Sequence, residues 1–314
     1  MRAIRVERTG NERCFPIDDL PEPVPGPGEL LVRTEAIGVG VTLVRSLRAG
    51  TGATGAELVG RVAALGPGTR GFRVGQRVGG VVMRDAFAEA AVAQESLVSP
   101  VPEEVDAAPA LCLVRGGLIA LSALRAGHLA RGESVLVTGA ASGVGHLAVQ
   151  LARALGAGRV VAAVGSPDKA GFAYGCGADE VVTYDRPSWG DPVDLVLDGV
   201  GGDLVQRGVD GLLPLGRLVA FSAGGGVVDT GGLLSGPKTV IGFSIGPLAR
   251  RDPGLIAERR AGLWEMLAAG DLRPAHTAFP LERLADAVTL VGARRNLGRV
   301  LLRTAGDGNG APRP

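Results

Sequence analysis

Apolar and polar positions change their spacing along the chain near residue 107. Before that point, short apolar segments alternate with Gly- and Pro-rich turns, a pattern that predicts a mostly β region. After it, short apolar strands alternate with stretches whose apolar residues recur at helical spacing, which predicts a parallel sheet with helices on both faces. A return segment carries a helix over 281–292 and a strand over 298–303. We therefore expect three parts, 1–106, 107–271 and 272–314, the last ending in a flexible tail.

The individual strands and helices follow from the same pattern. In the first part, strands are predicted over residues 3–6, 30–37, 57–65, 77–82 and 86–92. In the second part, strands are predicted over 134–138, 160–164, 180–183, 193–198, 217–221 and 239–243, and helices over 113–126 and 255–269. The alternation in the second part is typical of a doubly wound α/β sheet.

The most informative stretch runs from Ser134 to Gly156. It begins with a short apolar strand and continues through a turn of small residues into a helix with one apolar side. His146, Gln150 and Arg153 are expected on the opposite, polar side of that helix. Such a turn lets backbone N–H groups approach a dinucleotide pyrophosphate at the positive end of the helix dipole. The residues predicted to contact it are Gly139, Ala140, Ser142, Gly143, Val144 and Gly145. The alternative is a glycine-rich turn of another α/β protein.

Composition narrows the function classes. A net charge of +1 argues against a dedicated nucleic-acid or polybasic membrane surface. Cys14, Cys112 and Cys176 are too widely separated for a disulfide framework or a clustered zinc site. We see no signal peptide and expect no apolar run of membrane-spanning length, so a cytoplasmic protein is predicted.

Seven motifs occur in an order that points to a known family: PGPGELLVRTEAIGV, GRVAALGPGTRGFRVGQRV, VLVTGAASGVGHLAVQLARALGA, YGCGADEVVTYD, VDLVLDGVGG, LGRLVAFSAGG and FPLERLADAV…NLGRVLL. The chain resembles the medium-chain dehydrogenase/reductase superfamily, in its zinc-free quinone oxidoreductase and enoyl reductase branch. The resemblance implies a GroES-like, mostly β catalytic domain, formed by 1–106 and the return segment. Into it is inserted a Rossmann-type, doubly wound parallel sheet that binds the cofactor.

The end of the second strand of that sheet bears on the choice of cofactor. NAD-binding relatives carry an acidic residue there, which holds the ribose. Here the strand ends in Gly165 and Ser166. The resemblance implies that Ser166, Lys169 and Tyr184 hold a 2′-phosphate, with Arg186 as a further candidate, so NADPH is expected. The alternatives are that Lys169 is a solvated helix residue and that Asp168 bonds a ribose.

The resemblance also implies cofactor contacts at the ends of the later strands. Gly199 and Val200, and then Ser222, Ala223 and Gly224, are expected to line the nicotinamide ribose. Phe243 and Ser244 are expected beside the nicotinamide carboxamide. The alternative for each position is an ordinary turn residue.

Metal ligands are missing from the positions where zinc-dependent relatives carry them. Gly40 stands in the position of a ligand Cys, and Ala56 in that of a ligand His. We therefore predict no metal. The remaining chemistry of the family is hydride transfer from NADPH to a conjugated C=C or to a quinone.

Several residues common in quinone oxidoreductases are also absent. An Asn at Gly40, an Asp near Leu43, a later Tyr, and a Thr at Ile119 are all replaced. Thr42, Arg45 and Arg115 remain as candidate catalytic residues, with Ser46 in the same segment as the first two. For each the alternative is a surface or capping role, and solvent is another proton source.

A short loop, RAGTGATGAE, stands where relatives have a longer, proline-bearing one. It predicts a wide cleft for a bulky substrate, such as a polycyclic or polyketide-type enone, although a compact loop without effect on specificity is the alternative. The resemblance therefore implies an NADPH-dependent enoyl reductase, and the competing functions are an NADPH:quinone oxidoreductase and a non-catalytic NADPH-binding protein. By resemblance, a homodimer is expected to form through Thr239–Phe243.

Overall fold

The computed structural model describes residues 1–9, 12–50, 55–221, 224–234 and 236–304. Internal contacts divide the chain into two compact units. The first is Met1–Arg115 together with the segment that begins at His276, and the second is Gly116–Ala275. The sequence pattern places these limits at 106/107 and 271/272.

Strands dominate the first unit. Its N-terminal elements are β1 Arg2–Ile4, β2 Glu7–Thr9, β3 Glu12–Cys14, β4 Ile17–Asp19, β5 Glu29–Val39, α1 Val41–Ala49, β6 Ala56–Leu65, β7 Arg77–Val82, β8 Ala90–Gln94, β9 Val98–Pro100 and α2 Ala107–Leu111.

Strands and helices alternate in the second unit. Its elements are α3 Leu118–Ala126, β10 Ser134–Thr138, α4 Gly145–Ala154, β11 Arg159–Val164, α5 Ala170–Gly175, β12 Glu180–Thr183, β13 Val193–Asp198, α6 Asp203–Asp210, β14 Leu212–Ala220, α7 Thr230–Leu234, β15 Thr239–Gly242, α8 Ile245–Arg251 and α9 Pro253–Ala268. The chain then returns to the first unit through β16 His276–Pro280, α10 Leu284–Gly292 and β17 Arg299–Arg303.

A mixed sheet forms the core of the first unit. Its strand order is β16-β17-β5-β6-β7-β9, and β8 also pairs with β5. Only the β16–β17 pair within it is parallel. The central strand β5 is buried along most of its length, with Leu30 and Ile37 fully inaccessible. The return segment therefore completes this sheet, because β17 pairs directly with β5.

Six parallel strands form the sheet of the second unit, in the order β12-β11-β10-β13-β14-β15. Strand order reverses between β10 and β13, which is the switch point where ligands bind in doubly wound sheets. Val135 and Val137 of β10 are fully buried, as an apolar strand without alternation predicts. This topology confirms the predicted fold class, a Rossmann-type sheet inserted in a mostly β domain.

Several predicted limits were wrong. The strand predicted over 217–221 is β14, which begins at Leu212. The helix predicted from residue 113 begins at Ala107 and continues through a π-helical stretch, Cys112–Gly117, to Ala126. By length and composition alone this helix could span a membrane, contrary to our expectation, but 78% of its apolar 18-residue window is buried inside the protein, as in a core helix. The strand predicted over 86–92 begins only at Ala90. The chain turns at Asp85, which has a φ of 51°, and the carbonyl oxygen of Phe87 accepts a hydrogen bond from the Ile4 N–H of β1.

Candidate functional site

The small-residue turn after β10 needs glycine at both ends. Gly139 has a φ of 63°, in the left-handed region that favours glycine. A Cβ added at Gly145 would clash with the carbonyl oxygen of Gly139. The N–H of Gly145 donates to the Ser142 hydroxyl over 3.0 Å, which closes the turn onto the start of α4. The glycines at the two ends of the predicted motif are therefore positions at which the backbone requires glycine.

Two backbone donors in this turn have no protein acceptor. Within the described ranges, no hydrogen bond is made by the N–H groups of Gly143 and Val144, which directly precede α4. Both residues are only half-buried. Unpaired amides at the positive end of a helix dipole suit a phosphate, so these residues fit a dinucleotide pyrophosphate.

The side of α4 that we expected to be polar is buried in part. His146 is completely inaccessible, and its Nδ1 lies 2.8 Å from the Ser142 carbonyl oxygen. Its Nε2 accepts a hydrogen bond from the Ala275 N–H over 3.0 Å. Gln150 accepts from the Arg273 N–H over 2.7 Å. These side chains satisfy backbone groups of the 273–275 segment, a role that helical periodicity cannot reveal.

A buried carboxylate shapes the loop after β13, and sequence reasoning missed it. Asp198 is inaccessible and accepts from the Thr138 hydroxyl over 2.7 Å and from the Gly201 N–H over 2.9 Å. The Gly199 N–H donates in turn to the Thr138 hydroxyl over 3.0 Å. The available signal was an acidic residue that ends a largely apolar strand and is followed at once by Gly-Val-Gly-Gly.

This network brings several predicted cofactor residues together at the carboxyl ends of the central strands. Val200 approaches the turn, since a Cβ on Gly139 would lie 3.2 Å from its Cγ2 atom. Gly201 lies against Gly224, whose Cα atom would be 2.8 Å from a Cβ at Gly201. Ser222 and Ala223 lie outside the described residues.

The predicted 2′-phosphate residues occupy two places. Ser166, Asp168 and Lys169 follow β11 together, and the hydroxyl of Ser166, with the charge of Lys169, holds the pKa of the Asp168 carboxyl below its usual value. Tyr184 lies at the glycine turn. Its hydroxyl accepts from the Gly139 N–H over 2.7 Å and donates to the Ala163 carbonyl over 3.3 Å.

The residues predicted beside the nicotinamide lie at the β15 edge of the sheet. Phe243 follows β15 and donates its N–H to the Ala220 carbonyl oxygen, and Ser244 precedes α8.

Among the candidate catalytic residues, Arg115 belongs to a charged cluster in the first unit. Its Nη1 donates to Oε1 of Glu57 over 2.6 Å, and Arg299 donates to Oε2 of the same carboxylate over 2.5 Å. Burial alone would raise the pKa of Glu57, but the charges of Arg299 and Arg115 outweigh it and lower the pKa to about 2. Sequence reasoning missed Glu57 and Arg299, which the chain separates by more than two hundred residues.

The Arg299 guanidinium fills the space next to Gly38, near the end of β5, and Gly40, which follows the strand. A Cβ at Gly38 would clash with it, and one at Gly40 would lie 3.1 Å from Nη1. Arg299 also donates to the Val39 carbonyl over 2.9 Å. Among the described residues, no three His, Cys, Asp or Glu side chains lie close enough to hold a metal ion.

The other two catalytic candidates are not part of this cluster. Thr42 and Arg45 lie on the exposed side of α1, and neither side chain makes a hydrogen bond or ion pair within the described part of the chain. Arg115, by contrast, is 42% exposed and has further N–H groups without an acceptor in that same part. Arg115 is therefore the candidate that Glu57 holds in place and that still has N–H groups with which to bind a ligand.

Comparison with known proteins agrees with this architecture. Residues 143–257 match the family described as zinc-binding dehydrogenase. Quinone oxidoreductase of Pseudomonas aeruginosa is 33% identical over 304 residues, which cover 88% of this chain and 92% of that protein. The chain belongs to the medium-chain dehydrogenase/reductase superfamily, in its quinone oxidoreductase branch. It is accordingly an oxidoreductase, as the resemblance of its motifs implied.

Other members of the superfamily extend the comparison. Prostaglandin reductase-3 of Bos taurus is 33% identical over 243 residues, which cover 72% of this chain and 61% of that protein. Among solved structures, Escherichia coli quinone oxidoreductase complexed with NADPH has a TM-score of 0.85 at 25% identity, and covers 96% of this chain and 100% of its own. A mycobacterial protein complexed with NADPH has a TM-score of 0.84 at 30% identity, with shares of 96% and 100%.

Proposed function

We propose that this chain is an NADPH-dependent, zinc-independent reductase that delivers hydride to the conjugated C=C of an enone. The observation that carries the proposal is the Arg115–Glu57–Arg299 cluster. Reduction of a conjugated C=C places negative charge on the carbonyl oxygen of the substrate, and a fixed guanidinium is suited to stabilise it.

NADPH is supported by the glycine turn and by two related structures that contain it. The unpaired N–H groups of Gly143 and Val144 suit the pyrophosphate. Ser166 and Lys169 supply a hydroxyl and a cation after β11, where an NAD-binding chain would end its strand with an acidic residue. When bound, NADPH supplies the hydride.

In the proposed reaction, Arg115 binds the carbonyl oxygen of the substrate while the β-carbon receives the hydride. The C=C electron pair moves toward the carbonyl, and an enolate forms on the substrate. Glu57 holds Arg115 in place through the 2.6 Å hydrogen bond, and Arg299 keeps that carboxylate ionised. A proton from solvent then completes the reduction at the α-carbon, and NADP⁺ is the second product.

Zinc independence has its own support in the first unit. The Arg299 cation stands beside Gly40, the position at which zinc-dependent relatives carry a ligand Cys. A guanidinium cannot be deprotonated in a protein and does not ligate a metal. A cation already present there also opposes the binding of a second one.

That the substrate is large remains a prediction from the sequence. Residues 51–54 of the short loop lie outside the described residues. We propose a bulky polycyclic or polyketide-type enone as substrate. The cytoplasmic location of the protein also remains a prediction.

A quinone is the second candidate substrate, favoured by the 33% identity to a quinone oxidoreductase. Two-electron reduction of a quinone also places negative charge on a carbonyl oxygen, so the same guanidinium would serve. A non-catalytic NADPH-binding protein is the third possibility, in line with the missing Asn, Asp, Tyr and Thr positions.

The test measures NADPH consumption with polycyclic enones, small enals and quinones for the unchanged protein and for Arg115→Met. We expect turnover of the enones, and a loss of about a hundredfold in kcat in the variant, since removing one oxyanion donor typically costs that much. Arg70→Met, an exposed arginine of the same unit, serves as the control and should keep full activity. Activity only with quinones would favour the second candidate, and tight NADPH binding without any turnover the third.

A further inference from the structure

A cavity of about 750 Å³ lies within the second unit, on the β14–β15 side of the parallel sheet. Ser122 and Arg125 of α3 line the cavity, together with Arg251 of α8 and Arg259 of α9. Phe243 and Ser244 lie at the end of β15 on the same cavity.

The charge of this lining is entirely positive. Three arginines contribute to it, and no Asp or Glu is among the lining residues. Arg259 is close enough to Arg125 for the two charges to repel each other, and burial together with that charge lowers the pKa of Arg259. Glu258 and Asp252 act in the opposite direction but do not line the cavity.

Two polar atoms at the cavity are buried without a partner. The Ser122 side chain is completely inaccessible, and its hydroxyl makes no hydrogen bond within the described residues. The same is true of the Arg259 Nη1 atom. Leaving a buried donor unsatisfied costs free energy, and more for a charged group, so native proteins rarely do so without a bound partner.

We propose that this cavity is a binding site for a phosphate group, held by Ser122, Arg125, Arg251 and Arg259. A phosphate has three acceptor oxygens and about two negative charges, which would satisfy both orphan donors and separate the two like-charged guanidinium groups. Arginine also presents its donors in a planar fork that matches phosphate geometry.

This site is separate from the predicted cofactor phosphates. The 2′-phosphate residues follow β11 and the pyrophosphate turn follows β10, whereas the cavity adjoins β14 and β15. Strands β11 and β14 are separated by β10 and β13, a distance of about 14 Å at ordinary strand spacing. Phe243 and Ser244, which are predicted beside the nicotinamide, also lie on the cavity, but neither is among the residues proposed to hold the phosphate. The proposal therefore does not depend on the proposed function.

Calorimetric titration of the full chain with inorganic phosphate tests the site, at constant ionic strength and in the presence or absence of saturating NADPH. We expect one phosphate per chain, and a loss of affinity of about tenfold or more in Arg259→Gln, with a smaller loss in Ser122→Ala. Arg250→Gln, a neighbouring arginine of α8 that does not line the cavity, should bind as the unchanged protein does.

Titration with phenyl phosphate identifies the source of the ligand. Tighter binding of the ester than of inorganic phosphate would indicate a phosphorylated small molecule, and the reverse would indicate free phosphate. Equal affinity in Arg259→Gln and in the unchanged protein, loss of all binding when NADPH is added, or no binding at all would overturn the proposal. Arg125→Gln, at an exposed position, provides a second variant should Arg259→Gln fail to fold.

Discussion

The carboxylate of Glu57 accepts a hydrogen bond from the guanidinium of Arg299 over 2.5 Å, and both side chains are largely withdrawn from solvent, at 12% and 14% exposure. Arg115 binds the other oxygen of the same carboxylate. Two cations thus share one buried anion, so the stability of the first unit and the placement of Arg115 depend on the same group.

We expect Glu57→Gln to destabilise the protein by about 3 kcal/mol, because removing one member of a buried pair leaves a buried charge uncompensated. The folded-state pKa of about 2 lies below the ordinary value of 4.5. The stabilisation by Glu57 should therefore be complete above pH 4.5 and be lost as the pH falls toward 2. Urea unfolding across this range should show the two proteins converging in acid. Glu103→Gln, which disrupts an exposed pair with Arg61, is the control and should change little.

Gly145→Ala should disrupt the turn, because the added Cβ would clash with the Gly139 carbonyl oxygen. We expect a loss of stability and at least a tenfold weaker binding of NADPH, measured by fluorescence titration. Gly171→Ala is the matched control, since its Cβ would meet nothing within 4 Å and α5 would gain up to about 1 kcal/mol of helix propensity. Equal behaviour of the two variants would contradict the predicted role of the turn.

Lys169→Ala should raise the KM for NADPH about tenfold and leave the KM for NADH unchanged, because only the 2′-phosphate requires the cation. Asp168→Asn should lower the KM for NADPH, since it removes a negative charge bonded to Ser166 at the same place. Steady-state kinetics would give the KM for NADPH and for NADH in both variants and in the unchanged protein. A parallel change for NADPH and NADH would indicate that Lys169 acts on the fold instead.

The three thiols should react with iodoacetamide at very different rates. Burial raises the pKa of Cys112 to about 12 and that of Cys176 to about 11, whereas Cys14 is exposed. Only thiolates react, so at neutral pH we expect Cys14 to be alkylated first and Cys112 last. Mass spectrometry of the native and the urea-unfolded chain provides the comparison. Early labelling of native Cys112 would contradict its placement in the core.

Val240→Arg should convert a dimer into monomers, as judged by light scattering after gel filtration. Within the described residues, β15 pairs only with β14 and leaves an open edge, on which Val240 is 36% exposed. A charge there opposes pairing with a second copy. Val227→Arg, at a position that is 81% exposed and outside the strands, should leave the assembly unchanged. A monomeric unchanged protein would end the homodimer hypothesis.

Much of the second unit could be predicted because its strands carry local signals. The limits of β10, β12 and β13 agree with the sequence pattern to the residue, since buried parallel strands read as short apolar runs between turns. Gly139 and Gly145 were found because backbone sterics restrict those positions to glycine.

The charged cluster could not be found in this way, since Glu57 of β6 and Arg299 of β17 are brought together only because both strands pair with β5. Asp198 was missed for a related reason, because its partner Thr138 ends a different strand. His146 was misplaced since periodicity treats every polar residue as outward-facing, whereas this one satisfies a backbone N–H.

The bond between His146 and the Ala275 N–H has one further consequence. Because Nε2 accepts there while Nδ1 faces a carbonyl oxygen, the ring is held as the neutral Nδ1–H tautomer. Ala275 belongs to no helix or strand, yet its amide should exchange with deuterium as slowly as those of α4. That single amide would therefore report, in solution, on the integrity of the helix that follows the predicted nucleotide-binding turn.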